Sequence, residues 1–312
     1  MIFPEKGIIM DRIDAMGLFV AIVDAGSLAG AARRLRLPIQ SVSRKLQALE
    51  GHLGARLLQR TTRRLSLTEE GRDYAEACRR LLADVEEAER HVAGRHGEPK
   101  GALAVTAPVV FGRLHVLPAV LGFLETYREV ETRLVLIDRV IDLVEEGIDA
   151  AIRIGPLPDS SLVATRLGEL RRVVCASPAY LARRGAPASV ADLRHHDCIT
   201  FAGITSPARW SFGEAGSVAV RSRLVVTTAE AAIDAAIAGL GVTRLLSYQV
   251  EAALAAGQLR LVLDRLALPR VPVHLVSVEG RRAPARVRAF LDFAVPRIRG
   301  RLAALAANPE LA

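Results

Sequence analysis

The sequence predicts an α+β protein of several domains: a winged helix-turn-helix, a long helix, and then an α/β portion. Three observations predict it. Residues 26–54 form two short helical patterns broken at a proline inside a strongly basic stretch. An apolar seam then runs from Tyr74 to Val92 and ends in a Gly/Pro-rich linker. After residue 101 the pattern changes to short strands alternating with helices.

Residues 11–25 give a first helix with the stripe Ile13, Met16, Phe19, Val20 and Val23. Gly26 suits its end, and Ser27 suits the N-cap of the next helix, which is apolar through Leu28, Ala31, Ala32 and Leu35. Arg36-Leu37-Pro38 breaks the chain, because proline stops a helix upstream and fits the first turn of a new one. In the following helix Val42, Leu46, Leu49 and Leu53 share one face. Gln40, Ser41, Ser43, Arg44 and Gln47 offer the polar side chains that read base edges and phosphates. An αα-hairpin in an ordinary helical core is the competing reading of these residues taken alone.

Charge favours the first reading. The chain carries a net charge of +8 with a pI near 10.1. Between Arg33 and Arg72 stand ten basic residues against three acids, so nearly the whole excess lies in and after the helix pair. Residues 55–68 then read as a β-hairpin, a wing whose Arg60, Arg63 and Arg64 are placed to reach backbone phosphate or the minor groove.

Thr68-Glu69-Glu70-Gly71 starts a further helix, expected to reach about Ala93. Tyr74, Cys78, Leu81, Val85, Ala88 and Val92 alternate steps of four and three, the spacing of a dimerisation helix, although a helix lying on a domain surface would share it. Residues 94–101 are the linker. Beyond it we expect strands at Ala102–Val105, Thr132–Ile137, Ala150–Ile154, Cys198–Phe201 and His274–Val278, with extended segments at 162–168 and 171–176. Helices are expected at 112–127, with Pro118 as a kink or first-turn residue, at Val140–Glu146 and at Pro178–Arg184. Further helices are expected at Ala229–Ala238, at Ser247–Ala256 and at Pro284–Ile298, and a hairpin at Trp210–Val226.

Composition narrows the function. With 312 residues, 51% hydrophobic and 24% charged, the chain has ample material for more than one core. No apolar run is expected to span a bilayer, so no membrane partner is expected. Met1–Met10 lacks the pattern of a secretion signal, and Met10 offers a second start. Cys78, Cys175 and Cys198 have neither metal-ligand nor disulfide spacing, which fits a reducing cytoplasm. His195-His196-Asp197 lacks further ligands, Gly239-x-Gly241 lacks the rest of a phosphate loop, and Ser177-Pro178 is no nucleophile elbow. No catalytic site, metal or cofactor is expected.

Several runs together resemble one family. Phe19-x3-Val23-x2-Gly26-Ser27-x3-Ala31-Ala32-x2-Leu35, Val42-Ser43-Arg44-Lys45-Leu46-x2-Leu49-Glu50-x2-Leu53-Gly54, Leu57-Leu58-x-Arg60-Thr61-Thr62-Arg63 and Leu67-Thr68-x2-Gly71 resemble the LysR-type transcriptional regulators. Downstream, residues 142–155, Cys175-Ala176-Ser177-Pro178-x-Tyr180-Leu181 and Ala238–Val242 are similar to that family's effector domain. Two positions depart from it: Pro38-Ile39-Gln40-Ser41 stands where Ser-Gln-Pro or Ser-Gln-Ser is usual, and Arg128 where a proline is usual.

The resemblance implies a winged helix-turn-helix over 1–67 and a linker helix with hinge over 68–100. It further implies a periplasmic-binding-protein-like effector domain over 101–300, with lobe I at 101–167 and 270–300, lobe II at 168–269, and a tail at 301–312. The implied partners are double-stranded DNA, a small-molecule effector, and further copies of the chain as a homodimer or homotetramer. RNA polymerase is a candidate partner.

Ligands of open α/β sheets bind beyond the carboxyl ends of strands. That singles out Thr106, Ala107 and Pro108 with Phe111 one turn on, Arg153 and Gly155, Phe201 and Ala202, and Thr228 and Ala229. Helix N-termini at such points favour a small organic anion, with Thr106 adding a hydroxyl donor. The alternative class is a solute-binding or enzymatic α/β protein whose N-terminal helices are only a dimerisation arm.

Overall fold

The computed structural model describes residues 11–60, 65–92, 98–202, 209–264, 269–278 and 283–307, and the chain divides into two units, 1–101 and 102–312. The first unit holds α1 (Arg12–Ala25), α2 (Leu28–Leu35), α3 (Ile39–Leu53), the strand pair β1 (Leu58–Arg60) and β2 (Leu65–Leu67), and α4 (Glu69–Val92). Its helix ends follow the residues that cap them. Asp11 accepts the Ile13 N–H at 3.0 Å at the start of α1, and Gly26, at φ 62°, closes that helix in the left-handed conformation. Ser27 Oγ accepts the Gly30 N–H at 3.0 Å. The tight turn before α3 is made by Arg36 at φ 54°, an uncommon conformation for a residue with a Cβ.

The core of this unit gathers Phe19, Ile22, Ala31, Val42, Leu46, Leu49, Leu57, Leu58, Ala75 and Cys78, all buried. Burying a side chain the size of Val42, Leu46 or Leu49 stabilises by about 1.5–3 kcal/mol, so packing rather than helix propensity holds α3 in place. Glu50 Oε1 accepts the Leu57 and Leu58 N–H groups at 2.9 and 3.2 Å and ties α3 to the wing strand. Thr68 Oγ1 donates to the Arg56 carbonyl at 2.8 Å and accepts the Gly71 N–H at 2.9 Å. A Cβ on Gly71 would stand 2.0 Å from the Leu57 carbonyl oxygen, so only glycine lets α4 start against the wing. On α4, Ala75 and Cys78 are buried in this core, whereas Leu81 is 49% exposed within the expected seam.

The second unit carries two five-stranded sheets. The first has the order β4 (Val130–Leu136), β3 (Gly101–Ala107), β5 (Ala150–Ile154), β14 (Val271–Ser277), β6 (Val163–Leu170). The second has the order β11 (Arg221–Val226), β8 (Asp197–Phe201), β12 (Val242–Leu246), β7 (Arg172–Ala176), β13 (Arg260–Val262). β3 and β5 run parallel, as do β11, β8 and β12, so each sheet gathers strand carboxyl ends at one edge. The helices α5 (Val109–Phe111), α6 (Leu117–Thr126), α7 (Pro178–Arg184), α8 (Ala229–Ile237), α9 (Ser247–Ala255) and α10 (Ala285–Ala307) cover them.

Several elements differ from expectation. Val140–Glu146 is a turn: Asp142 Oδ1 accepts the Val144 and Glu145 N–H groups at 2.8 and 3.0 Å, a local bond that competes with helix. The helix expected at 112–127 begins at Val109 and passes through a π-helical segment, Gly112–Val116, before Pro118 opens α6. Val109–Thr126 has a mean hydropathy of 1.4 over 18 residues, long and apolar enough to cross a membrane by those measures, contrary to the reading of the sequence. Here its Val110, Phe111, Val116, Val120 and Phe123 are buried in the core of the unit. In the expected 210–226 hairpin only Arg209–Ser211 (β9) and Ser217–Ala219 (β10) pair with each other, while β11 pairs in parallel with β8.

β6 keeps Gly168–Leu170 in the first sheet, paired with β14, so the chain passes to the second sheet at Arg171, a few residues beyond the expected lobe boundary between 167 and 168. β14 starts at Val271, three residues before the expected strand. α10 runs past Ile298 to Ala307 and buries Leu302 and Leu305, where a tail was expected.

Candidate functional site

The first candidate surface is α3. Val42, Leu46 and Leu49 anchor one side in the core, while Gln40, Arg44 and Gln47 are exposed at steps of four and three on the other. Ser41 and Ser43 are half-buried at its margin. Ser27 spends its side-chain oxygen capping α2. The wing is an antiparallel pair with Leu58 opposite Leu67 and Arg60 opposite Leu65. Arg63 and Arg64 lie outside the described residues, and of Arg60 only the backbone, at the end of β1, is described.

The second candidate surface lies where the carboxyl ends of the two sheets converge. Phe111 and His115 of the first lobe meet Tyr248 of α9 in the second, at ring distances of 5.4 and 5.5 Å, both edge to face. Thr106 is buried and donates its hydroxyl to the Val135 carbonyl at 2.8 Å, so it is not the free donor expected. Ala107 and Phe111 are buried, and Pro108 is the N-cap residue of α5. The Val109 N–H behind Pro108 is already taken: Asp138, just after β4, accepts it through Oδ1 at 3.1 Å. An anion at that helix end would meet the Asp138 carboxylate, which already takes this N–H.

Arg153 turns its guanidinium to the Ile141 carbonyl at 2.6 Å, and burial lowers its pKa. Gly155, at φ 123°, donates to the Pro272 carbonyl at 2.8 Å. Phe201 is buried, and Ala202 is exposed beside it. Thr228 caps α8 by accepting the Ala231 N–H at 3.3 Å, with Ala229 buried behind it.

Four residues that the sequence did not single out shape this surface. Asp138 Oδ2 and Glu230 Oε2 are buried without a hydrogen-bond partner among the described residues. Burial raises the Asp138 pKa against the Val109 hydrogen bond, and the charge of Glu230 raises it further. Tyr248 is pushed up by burial and by the Asp138 and Glu230 charges. His115 is 4% exposed, has neither ring nitrogen paired among the described residues, and is pushed down to about 4, first by burial and then by Arg301. The available signal for Asp138 was its place directly after a strand; for Glu230 it was the Thr227-Thr228-Ala229-Glu230 cap. Among the described residues no group of three or more His, Cys, Asp or Glu side chains could hold a metal ion.

Residues 13–72 match the bacterial regulatory helix-turn-helix protein, lysR family, and residues 96–299 match the LysR substrate binding domain. The chain belongs to the LysR family. It is 36% identical to an HTH-type transcriptional repressor of Pseudomonas aeruginosa, over 97% of this chain and 95% of that one. It is likewise 36% identical to an HTH-type transcriptional regulator of Xanthomonas campestris, over 90% of this chain and 84% of that one. In structure it is similar to CrgA, a LysR-type transcriptional regulator from Neisseria meningitidis, with a TM-score of 0.59, 32% identity, and coverage of 91% of this chain and 98% of that one. This LysR-type chain is therefore a ligand-responsive, DNA-binding transcriptional regulator with an effector-binding domain, and not an enzyme.

Proposed function

We propose that this regulator binds near-palindromic promoter sites as a dimer or tetramer and reads them with α3. The observation that carries the reading is the exposed row Gln40, Arg44 and Gln47 on a helix whose opposite side is locked into a core. Such a helix enters the major groove with little loss of conformational freedom, and two copies related by a two-fold axis reach half-sites about 34–36 Å apart. In this reading Arg44 contacts a guanine edge or a phosphate, Gln40, Ser41, Ser43 and Gln47 line the groove, and Ser27 meets the backbone. Arg60, Arg63 and Arg64 of the wing hold phosphate or the minor groove. The partly exposed seam of α4 around Leu81 joins the copies.

The same proposal places a small-molecule effector between the lobes, beside Phe111, Gly155, Ala202 and Thr228, at the strand ends where open α/β sheets bind ligands. A ligand that favours one lobe arrangement shifts the population towards it and so changes how the DNA-reading helices are presented. RNA polymerase is the further partner of this reading, and the cytoplasm, where the DNA is, its place of action. Footprinting of the chain's own promoter region, with and without candidate metabolites, tests it. Two protected half-sites on one DNA face, altered by a metabolite, support it. Absence of any sequence-dependent protection overturns it.

A further inference from the structure

An exposed apolar side chain standing singly is ordinary on a protein surface, so its place decides what it means. Among the described residues of the N-terminal unit the large exposed apolar side chains are Ile13, Ile39, Leu53 and Leu81. Ile13 lies in the first turn of α1, Leu53 ends α3, and Leu81 falls in the seam of α4. Ile39, 45% exposed, opens α3.

The start of this helix is firmly built. Pro38, at φ −60° and ψ 140°, is its N-cap residue, and the Pro38 carbonyl accepts the Ser41 and Val42 N–H groups at 2.9 and 3.2 Å. Val42, Leu46 and Leu49 then enter the core, whereas Ile39 is not among the side chains packed against it. Steps of four carry the row of Ile39 through Ser43 and Gln47, beside the row of Gln40 and Arg44. Ile39 therefore shares the side of α3 that carries the polar residues. A β-branched side chain on a helix keeps one strongly preferred rotamer, so Ile39 presents its methyl groups with little freedom left to lose.

This is also where the chain departs from its family, with Pro38-Ile39-Gln40-Ser41 in place of Ser-Gln-Pro or Ser-Gln-Ser. The N-terminal residues of a recognition helix are the ones that meet base edges. The Ile39 side chain has no atom that donates or accepts a hydrogen bond. The apolar group that base edges offer in the major groove is the C5 methyl of thymine.

We propose that Ile39 is a specificity-determining residue that packs against the C5 methyl of one thymine in each half-site. This rests on α3 as the reading helix, and it names the base and the group that its first residue reads. Cytosine at the same position lacks the methyl and leaves Ile39 against water. Deoxyuridine removes the methyl while keeping the hydrogen-bonding edge of thymine, so it isolates this contact.

The full chain is used to select its site from a random duplex library. Each thymine of the selected half-sites is then replaced in turn by deoxyuridine, and binding is followed by anisotropy. At one position in each half-site the replacement should weaken binding roughly fourfold, and about fifteenfold when both half-sites are changed. Ile39→Ala should bind the thymine and deoxyuridine duplexes alike, and Ile39→Val should keep a smaller difference. Both variants should unfold at the parent's temperature, because the side chain lies outside the core. Selected half-sites without thymine, the absence of any deoxyuridine-sensitive position, or an Ile39→Ala variant that keeps the full difference overturns the proposal. A parent that selects no sequence at all overturns instead the reading of α3 beneath it.

Discussion

Glu50→Ala should loosen the wing while leaving α3 folded. The Glu50 carboxylate accepts two backbone N–H groups, Leu57 at 2.9 Å and Leu58 at 3.2 Å, and the Leu57 and Leu58 side chains are 1% and 4% exposed. Truncation removes both bonds and leaves two donors with no partner in a part-buried site. A hydrogen bond to a charged group contributes about 1.5–3 kcal/mol, and an orphaned donor costs a similar amount. The site is only part-buried and water can replace the lost acceptor, so we take about 1 kcal/mol per bond, below that range, and about 2 kcal/mol in all. Because about 1.4 kcal/mol is tenfold in an equilibrium, amide exchange at Leu57 and Leu58 should quicken by roughly thirtyfold. Hydrogen-exchange mass spectrometry on residues 55–60 reads this directly, and Glu50→Gln, which keeps an acceptor, should lie between the parent and Glu50→Ala. Protection unchanged in Glu50→Ala would refute the claim that this carboxylate fixes the wing to α3.

Three further outcomes follow from named contacts. Arg44→Ala should weaken operator binding by about 1–3 kcal/mol in an anisotropy titration and reduce sequence preference if the guanidinium reads a base; unchanged binding would remove Arg44 from the interface. His115 titrates near 4 in the fold against about 6.5 unfolded, so the unfolded chain binds more protons between those values. Stability contributed by neutral His115 is therefore complete above about pH 6.5 and falls away as pH drops towards 4, by no more than about 3 kcal/mol. Urea denaturation of the parent and of His115→Phe across this range should show a shallower pH slope in the variant. Leu302→Ala should cost about 2–5 kcal/mol in the same assay, because the side chain is 3% exposed and packs over Gly168 of β6; a cost below about 0.5 kcal/mol would mean that the end of α10 contributes nothing to the core.

Much of the N-terminal unit was legible because its signals are local. Helical periodicity placed Val42, Leu46 and Leu49, and the hydroxyls of Ser27 and Thr68 announced the helix starts that the structure shows. Strand and helix order in the second unit could also be read. What escaped depends on distant partners. β12 is buried at every position, so it has no alternation to read, and β13 has only three residues. Gly168 looked like a break between lobes, but its missing side chain makes room for Leu302 of α10. Asp142 looked compatible with a helix and instead satisfies the backbone of a turn.

The candidate ligand surface was legible only as a set of strand ends. Their hydroxyls, N–H groups and guanidinium are largely committed to the protein itself. Tyr248, which meets Phe111 and His115 edge to face, is far from them in sequence and joins them only through the fold.

Whether α3 reads the DNA is decided by a binding titration. The anisotropy of labelled promoter DNA and of random duplex is titrated with the full chain at two salt concentrations, beside the triple variant Gln40→Ala, Arg44→Ala, Gln47→Ala. With α3 as the reading element, the parent prefers promoter DNA, its affinity falls with salt, and the variant loses the preference while remaining folded. A parent that binds both duplexes equally, or a variant that discriminates as well as the parent, would contradict it.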